Sequence, residues 1–100
     1  MSTKQETRFP LGQTVATPGA SEALERNHST GLEYLGRHAA GDWGIVGEED
    51  KQANNDALRT GARLLSAYFL SDETKLWIIT EAQDDKGRRA ATTMLLPDEY

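Results

Sequence analysis

One hundred residues with 16 acidic and 11 Lys or Arg side chains give a net charge of −5, which fits one small acidic domain and disfavours non-specific adhesion to DNA or anionic membrane. Hydrophobic residues are 37% and charged residues 27% of the chain, enough for one modest core. The lack of cysteine excludes disulfides, thiolate metal sites and cysteine nucleophiles.

The first eight residues, polar and without the apolar centre of a signal peptide, are expected to be a disordered tail. Residues 9–100 then read as a single domain. No stretch approaches the roughly 20 apolar residues of a membrane span, so a cytoplasmic protein without membrane contact is expected. Phe9-Pro10-Leu11-Gly12 anchors the chain, and Gln13–Ala16 is a short extended segment. Thr17-Pro18 starts a helix, with Thr at the N-cap and Pro at the first helical position. That helix has a thin apolar face and breaks at Asn27-His28-Ser29.

Thr30 and Glu33 have capping-box spacing for a second helix. Its predicted apolar face is Leu32, Leu35 and Ala39, with Tyr34 and His38 on a neighbouring face, and Gly41 ends it. A third helix over Glu48–Thr60 opens on three acidic residues and closes before Gly61. Its few apolar residues predict a surface position. Strands are then predicted over Arg63–Leu70, Lys75–Glu81 and Arg89–Leu96, with Pro97 stopping the last. Short connections predict an antiparallel meander. The fold class is α+β: two to three N-terminal helices packed on a three-stranded, or four-stranded, antiparallel meander, with helices on one sheet face. Trp77 and Ile79 share one face of the central strand and Leu76 and Ile78 the other, which leaves room for a homodimer.

Residues Arg37 to Gly44 carry the densest chemistry. If His38 ends a helix, the dipole raises its pKa, Asp42 fixes its tautomer, and Arg37 stabilises an anion, which together describe a general acid–base centre. The competing reading is a corner: His38 caps helix carbonyls, Asp42 ties the turn, and Trp43 plugs the core. His28 and His38 lack metal-ligand spacing, and the acidic run Glu48-Glu49-Asp50 has a dipole explanation, so neither metal nor cofactor is expected. Arg88, Arg89, Thr92 and Thr93 on the last strand, facing Lys75, Tyr68 and Glu81, would form a shelf for phosphate or RNA if that face is open. The catalytic candidates are therefore His38, Asp42, Arg88, Arg89, Thr92 and Thr93, and the binding candidates Arg37, Trp43 and Tyr68.

The segments Phe9-Pro10-Leu11-Gly12-Gln13-Thr14-Val15-Ala16-Thr17-Pro18-Gly19-Ala20, Arg37-His38 with Gly41-Asp42-Trp43-Gly44, Leu64–Tyr68 and Leu95–Tyr100 resemble a family of small plasmid-related bacterial proteins carried on mobile elements. The resemblance spans residues 9–100 and implies no defined activity. Family members join the last two strands by a shorter Thr-Glu-Ala-Asp-Arg-Ser segment. The longer Gln83–Arg89 stretch here leaves the family arginine to Arg88 or Arg89. The order of helices, sheet, early His and late Arg and Thr is similar to the barnase, colicin and RelE-type ribonuclease-toxin architecture, as analogy only.

Two functions follow as expectations. One is a non-enzymatic interaction protein acting on a host or plasmid protein in regulation or anti-defence. The other is a ribonuclease using His38 with Arg88 or Arg89 and Thr92 or Thr93. The enzyme reading requires these groups to converge in an open cleft.

Overall fold

A computed structural model describes residues 6–100, so residues 1–5 of the expected disordered tail lie outside the described residues. In chain order the elements are strand β1 (Gln13–Ala16), helices α1 (Pro18–Arg26), α2 (Leu32–Ala39) and α3 (Glu48–Thr60), strands β2 (Leu64–Phe69), β3 (Lys75–Thr80) and β4 (Ala91–Leu95), and a 3₁₀ turn at Pro97–Glu99. Arg8 is already tied to the body, its amide and Nε donating to the carbonyls of Ala39 and Ala40 at 2.7 and 3.1 Å.

The α+β class holds, and β2–β3–β4 form the antiparallel meander read from the sequence. The sheet is nevertheless mixed, with order β1-β4-β3-β2. The extended segment Gln13–Ala16 is a fourth strand running parallel to β4, from Gln13 opposite Ala91 to Ala16 opposite Met94. A parallel partner requires a long crossover. All three helices and two strands supply it, so the first strand meets the last. A four-residue strand without apolar alternation gave no sign of that pairing.

Thr17 caps α1 as expected, its Oγ1 accepting from the Ala20 amide at 3.2 Å with Pro18 in the first turn. The start of α2 differs. No capping box forms at Thr30 and Glu33; Gly31 is the N-cap, at φ +86°, and no side chain caps the helix. Gly31 lies close against Leu24 and Met94, where a Cβ would stand 2.9 Å from the Met94 sulfur. That crowding turns the chain one residue later than the capping pattern suggests. The buried face of α2 also differs: Tyr34, Leu35, His38 and Ala39 point inward while Leu32 is 71% exposed. For α3 both limits, the acidic first turn and the left-handed Gly61 agree with the sequence. Only Asn54 and Ala57 of α3 are buried, in keeping with a helix on the surface of the core.

The helices cover one sheet face. Inward positions alternate with period two: Leu64, Ser66 and Tyr68 on β2, Leu76, Ile78 and Thr80 on β3, Thr92 and Met94 on β4. One apolar cluster joins α1 and α2 to Tyr68, Leu76, Ile78 and Met94, and a second gathers Phe9, Trp43, Ala57 and Leu64. The outer edge of β2 is occupied. The Asn54 amide pairs with the Leu65 main chain, donating to its carbonyl at 2.7 Å and accepting from its amide at 3.0 Å. Next to it, Ala67 exchanges bonds with the Trp43 carbonyl and the Ile45 amide. Gly44, at φ +74°, makes this close approach feasible, because a Cβ there would overlap the Ala67 carbonyl oxygen.

Opposite consequences follow for two adjacent isoleucines. Ile78 is fully buried beneath the helices, whereas Ile79 is half-buried on the outer face. Ile78→Ala should cost about 2–5 kcal/mol in urea unfolding. Ile79→Ala should cost less than half as much, and equal losses would mean that the outer face is covered.

Candidate functional site

Three strands bring hydroxyls to neighbouring inward positions: Ser66 on β2, Thr80 on β3, and Thr92 opposite Thr80 on β4. The inner face of α2 delivers His38 onto them, with no exposed surface. Its Nδ1 lies 2.5 Å from Ser66 Oγ and its Nε2 2.8 Å from Thr80 Oγ1. Thr80 and Thr92 hydroxyls are 2.7 Å apart, and Thr92 donates to the Leu11 carbonyl at 2.7 Å.

These contacts fix the proton positions. Thr92 spends its single hydrogen on Leu11, so it accepts from Thr80, and Thr80 must then accept from His38. The neutral imidazole therefore carries its hydrogen on Nε2, and its bare Nδ1 accepts from Ser66. Phe9 and Trp43 stand edge-on to the ring, with centroids at 5.2 and 5.8 Å. Burial, and secondarily the charge of Arg89, push the His38 pKa down to about 4. This corrects the expectation of a raised pKa, since loss of hydration outweighs the helix dipole. His38 also caps no helix carbonyl, contrary to the corner reading, because both its nitrogens are taken by strand hydroxyls.

Arg89 is buried too, and its guanidinium serves the backbone: Nη1 donates to the Ala62 and Glu81 carbonyls at 2.7 and 3.0 Å, and Nη2 to the Ala57 carbonyl at 3.1 Å. It pins the C-terminal end of α3, where the helix dipole favours a cation. Its plane lies 5.7 Å over the Phe9 ring, and burial lowers its pKa.

The remaining candidates divide. Asp42 does not reach His38. It pairs with Arg37, Oδ2 to Nε at 2.7 Å, and accepts from the Gly44 amide, contacts that hold its carboxyl below the usual range. Arg37, held charged by Asp42, also lies 4.6 Å over the ring of Tyr68. Tyr68 is buried and donates to the Asp42 carbonyl at 2.5 Å, with its pKa pushed up to about 12 by burial. Trp43 fills the core and donates to Asn55 Oδ1 at 3.0 Å, as the corner reading expects of a plug.

Arg88 is exposed on the loop before β4, and Thr93 is half-buried on the outer face. The proposed phosphate shelf is therefore not one surface. Arg89, Thr92 and Tyr68 face the core, Thr93 and Lys75 lie on the other side of the sheet, and Arg88 stands apart. One surface depression is lined by Glu6, Thr7, Arg8 and Ala40, and another by Asp84, Asp85, Lys86 and Arg88; neither is lined by His38 or its hydroxyl partners.

The residues that His38 needs were missed in the sequence. Ser66 and Thr80 sit at inward positions of otherwise apolar alternations, and a hydroxyl in such a place signals a buried polar partner. Among the described residues, every buried side-chain nitrogen and oxygen has a hydrogen-bond partner. No group of three His, Cys, Asp or Glu among them could hold a metal ion. His38, Ser66, Thr80 and Thr92 converge through hydrogen bonds at buried positions, while Arg89 is spent on main-chain carbonyls. Compared with protein-family models, curated proteins and solved structures, the chain matches none.

The sealed histidine makes stability depend on pH. With a folded pKa of about 4 against 6.5 unfolded, the unfolded chain binds the extra proton in that window. Stability should hold above pH 6.5 and fall by about 3 kcal/mol on acidification to pH 4. Urea titrations at pH 7, 5.5 and 4 read this, and His38→Gln should flatten that part of the profile. Thr80→Val, nearly isosteric, should cost about 1–3 kcal/mol because it strands the Nε2 hydrogen of His38. A neutral result would show the hydroxyl chain to be dispensable.

Proposed function

We propose that this chain is a non-enzymatic protein-interaction module that binds a host or plasmid protein in regulation or anti-defence. The supporting observation is the sheet face turned away from the helices. A row crosses it from Val15 through Thr93 and Ile79 to Leu65; Trp77, opposite Ala67, lies in the next row, and Phe69, opposite Lys75, in the one after. Val15 is 40% and Phe69 53% exposed. Exposed Val15 and Phe69 together with half-buried Leu65, Trp77 and Ile79 on one sheet face support a binding surface there.

Tyr100 extends the face, its exposed ring edge-on to Trp77 at 5.7 Å. Arg63 lies 5.7 Å from the Tyr100 centroid and donates to its hydroxyl. Trp, Tyr and Arg are the residue types that dominate binding energy at protein interfaces. The plasmid-related resemblance supports a host or plasmid partner. The ribonuclease reading loses its support from His38, Arg89 and Thr92, all of which are inaccessible.

The test pairs two assays on the full chain. Phe69→Ser with Ile79→Ser should remain folded by circular dichroism and lose the partner that wild type captures from bacterial extract. Capture that is indifferent to this pair would sink the reading. Wild type should leave single- and double-stranded RNA intact over hours. Cleavage that Arg88→Ala abolishes would favour the ribonuclease instead.

A further inference from the structure

The opposite edge of the sheet carries an inference that does not depend on the outer-face reading. Strand β1 bonds to β4 on one side, where the Gln13 and Thr17 amides donate to the Ala90 and Met94 carbonyls at 3.0 Å each. By the alternation of a strand, the main-chain groups of Thr14 and Ala16 point the other way. No other described strand lies beyond them, since β1 ends the sheet. All four residues are exposed, including Thr14 and Ala16, whose side chains are on the helix-covered face. Among the described residues, β1 is held in the sheet by a single ladder, to β4.

Such an edge is commonly blunted by lysine, proline or a bulge. Gln13-Thr14-Val15-Ala16 has none of these. Its outward residues flank Val15 symmetrically. In an antiparallel pair of two copies, Thr14 stands opposite Ala16 of the second copy, and Val15 opposite Val15 of that copy. Four main-chain hydrogen bonds close around a two-fold axis at Val15. Pro18 has no amide hydrogen and Gly12 is at φ +67°, so both ends of the ladder are defined.

Charge and the two-fold symmetry of the ladder fit a second copy as the occupant. The molecule carries −5, yet this edge is uncharged, so two copies meet here with little like-charge opposition. We propose that β1 is a self-association edge, joining two copies into one eight-stranded sheet. Val15 meets Val15 of the second copy on the outer face and makes the two apolar faces continuous. A four-residue ladder is small, so the dimer is weak, with association in the range of about 10 µM to 1 mM.

Sedimentation equilibrium of the full chain over that range tests this. Wild type should rise from the monomer mass toward twice that mass. Thr14→Lys with Ala16→Lys sets like charges opposite each other in both cross-strand pairs and should hold the chain monomeric. Thr14→Lys with Ala16→Glu sets opposite charges in the same register and should restore association at least to wild type. Circular dichroism and thermal unfolding confirm that both variants are folded. Wild type that is monomeric throughout, or two double variants that associate alike, would overturn the proposal.

Discussion

A neutral imidazole with no route to water holds the two halves of this protein together. His38 comes from the helical half, Ser66, Thr80 and Thr92 from three different strands, and Leu11 from the segment before the first strand. One directional chain of hydrogen bonds runs through all five, with each hydroxyl hydrogen spent once. Neutrality is a condition of that arrangement. A protonated ring would set two cations, His38 and Arg89, in a poorly screened interior, and would reverse the donor at Ser66. The register of β3 against β4 is bound to the same condition, because only in this register do Thr80 and Thr92 stand side by side.

The same economy accounts for the burial of several chemically rich residues. An imidazole and three hydroxyls converge on one another, and a buried guanidinium serves the main chain nearby. All are used up on one another and on the main chain. Arg89 spends its donors on three carbonyls, two of them at the end of α3 and just beyond it, and does for that helix end what a cap would do. Arg37 and Asp42 neutralise each other beside Tyr68. The sheet face turned away from the helices carries the exposed or half-buried side chains of Val15, Leu65, Phe69, Trp77 and Ile79.

Period and punctuation made much of the fold legible. The alternation of Leu76 and Ile78 against Trp77 and Ile79 placed β3 and its two faces, and Gly61 placed the end of α3. Local signals failed where tertiary packing decided. The capping pattern at Thr30 gave way to Gly31 pressed against Met94, some sixty residues on, and the inward face of α2 turned to bring His38 rather than Leu32 onto the sheet. The pairing of β1 with β4 was beyond reach, since no property of Gln13–Ala16 names a partner nearly eighty residues away. Within the site, the sequence singled out His38, Arg89 and Thr92 but not their depth. Depth decided their role.

The Asn54 side chain has a consequence at a larger scale. Its amide copies the hydrogen bonding of a neighbouring strand at Leu65, and Trp43 to Ile45 does the same at Ala67. One margin of the sheet is thus sealed by the molecule's own parts, while among the described residues no strand pairs with the other, β1. Fibril growth by strand addition needs two receptive margins on every unit, one to accept and one to offer. A folded unit with one margin sealed therefore ends any sheet that it joins through the other.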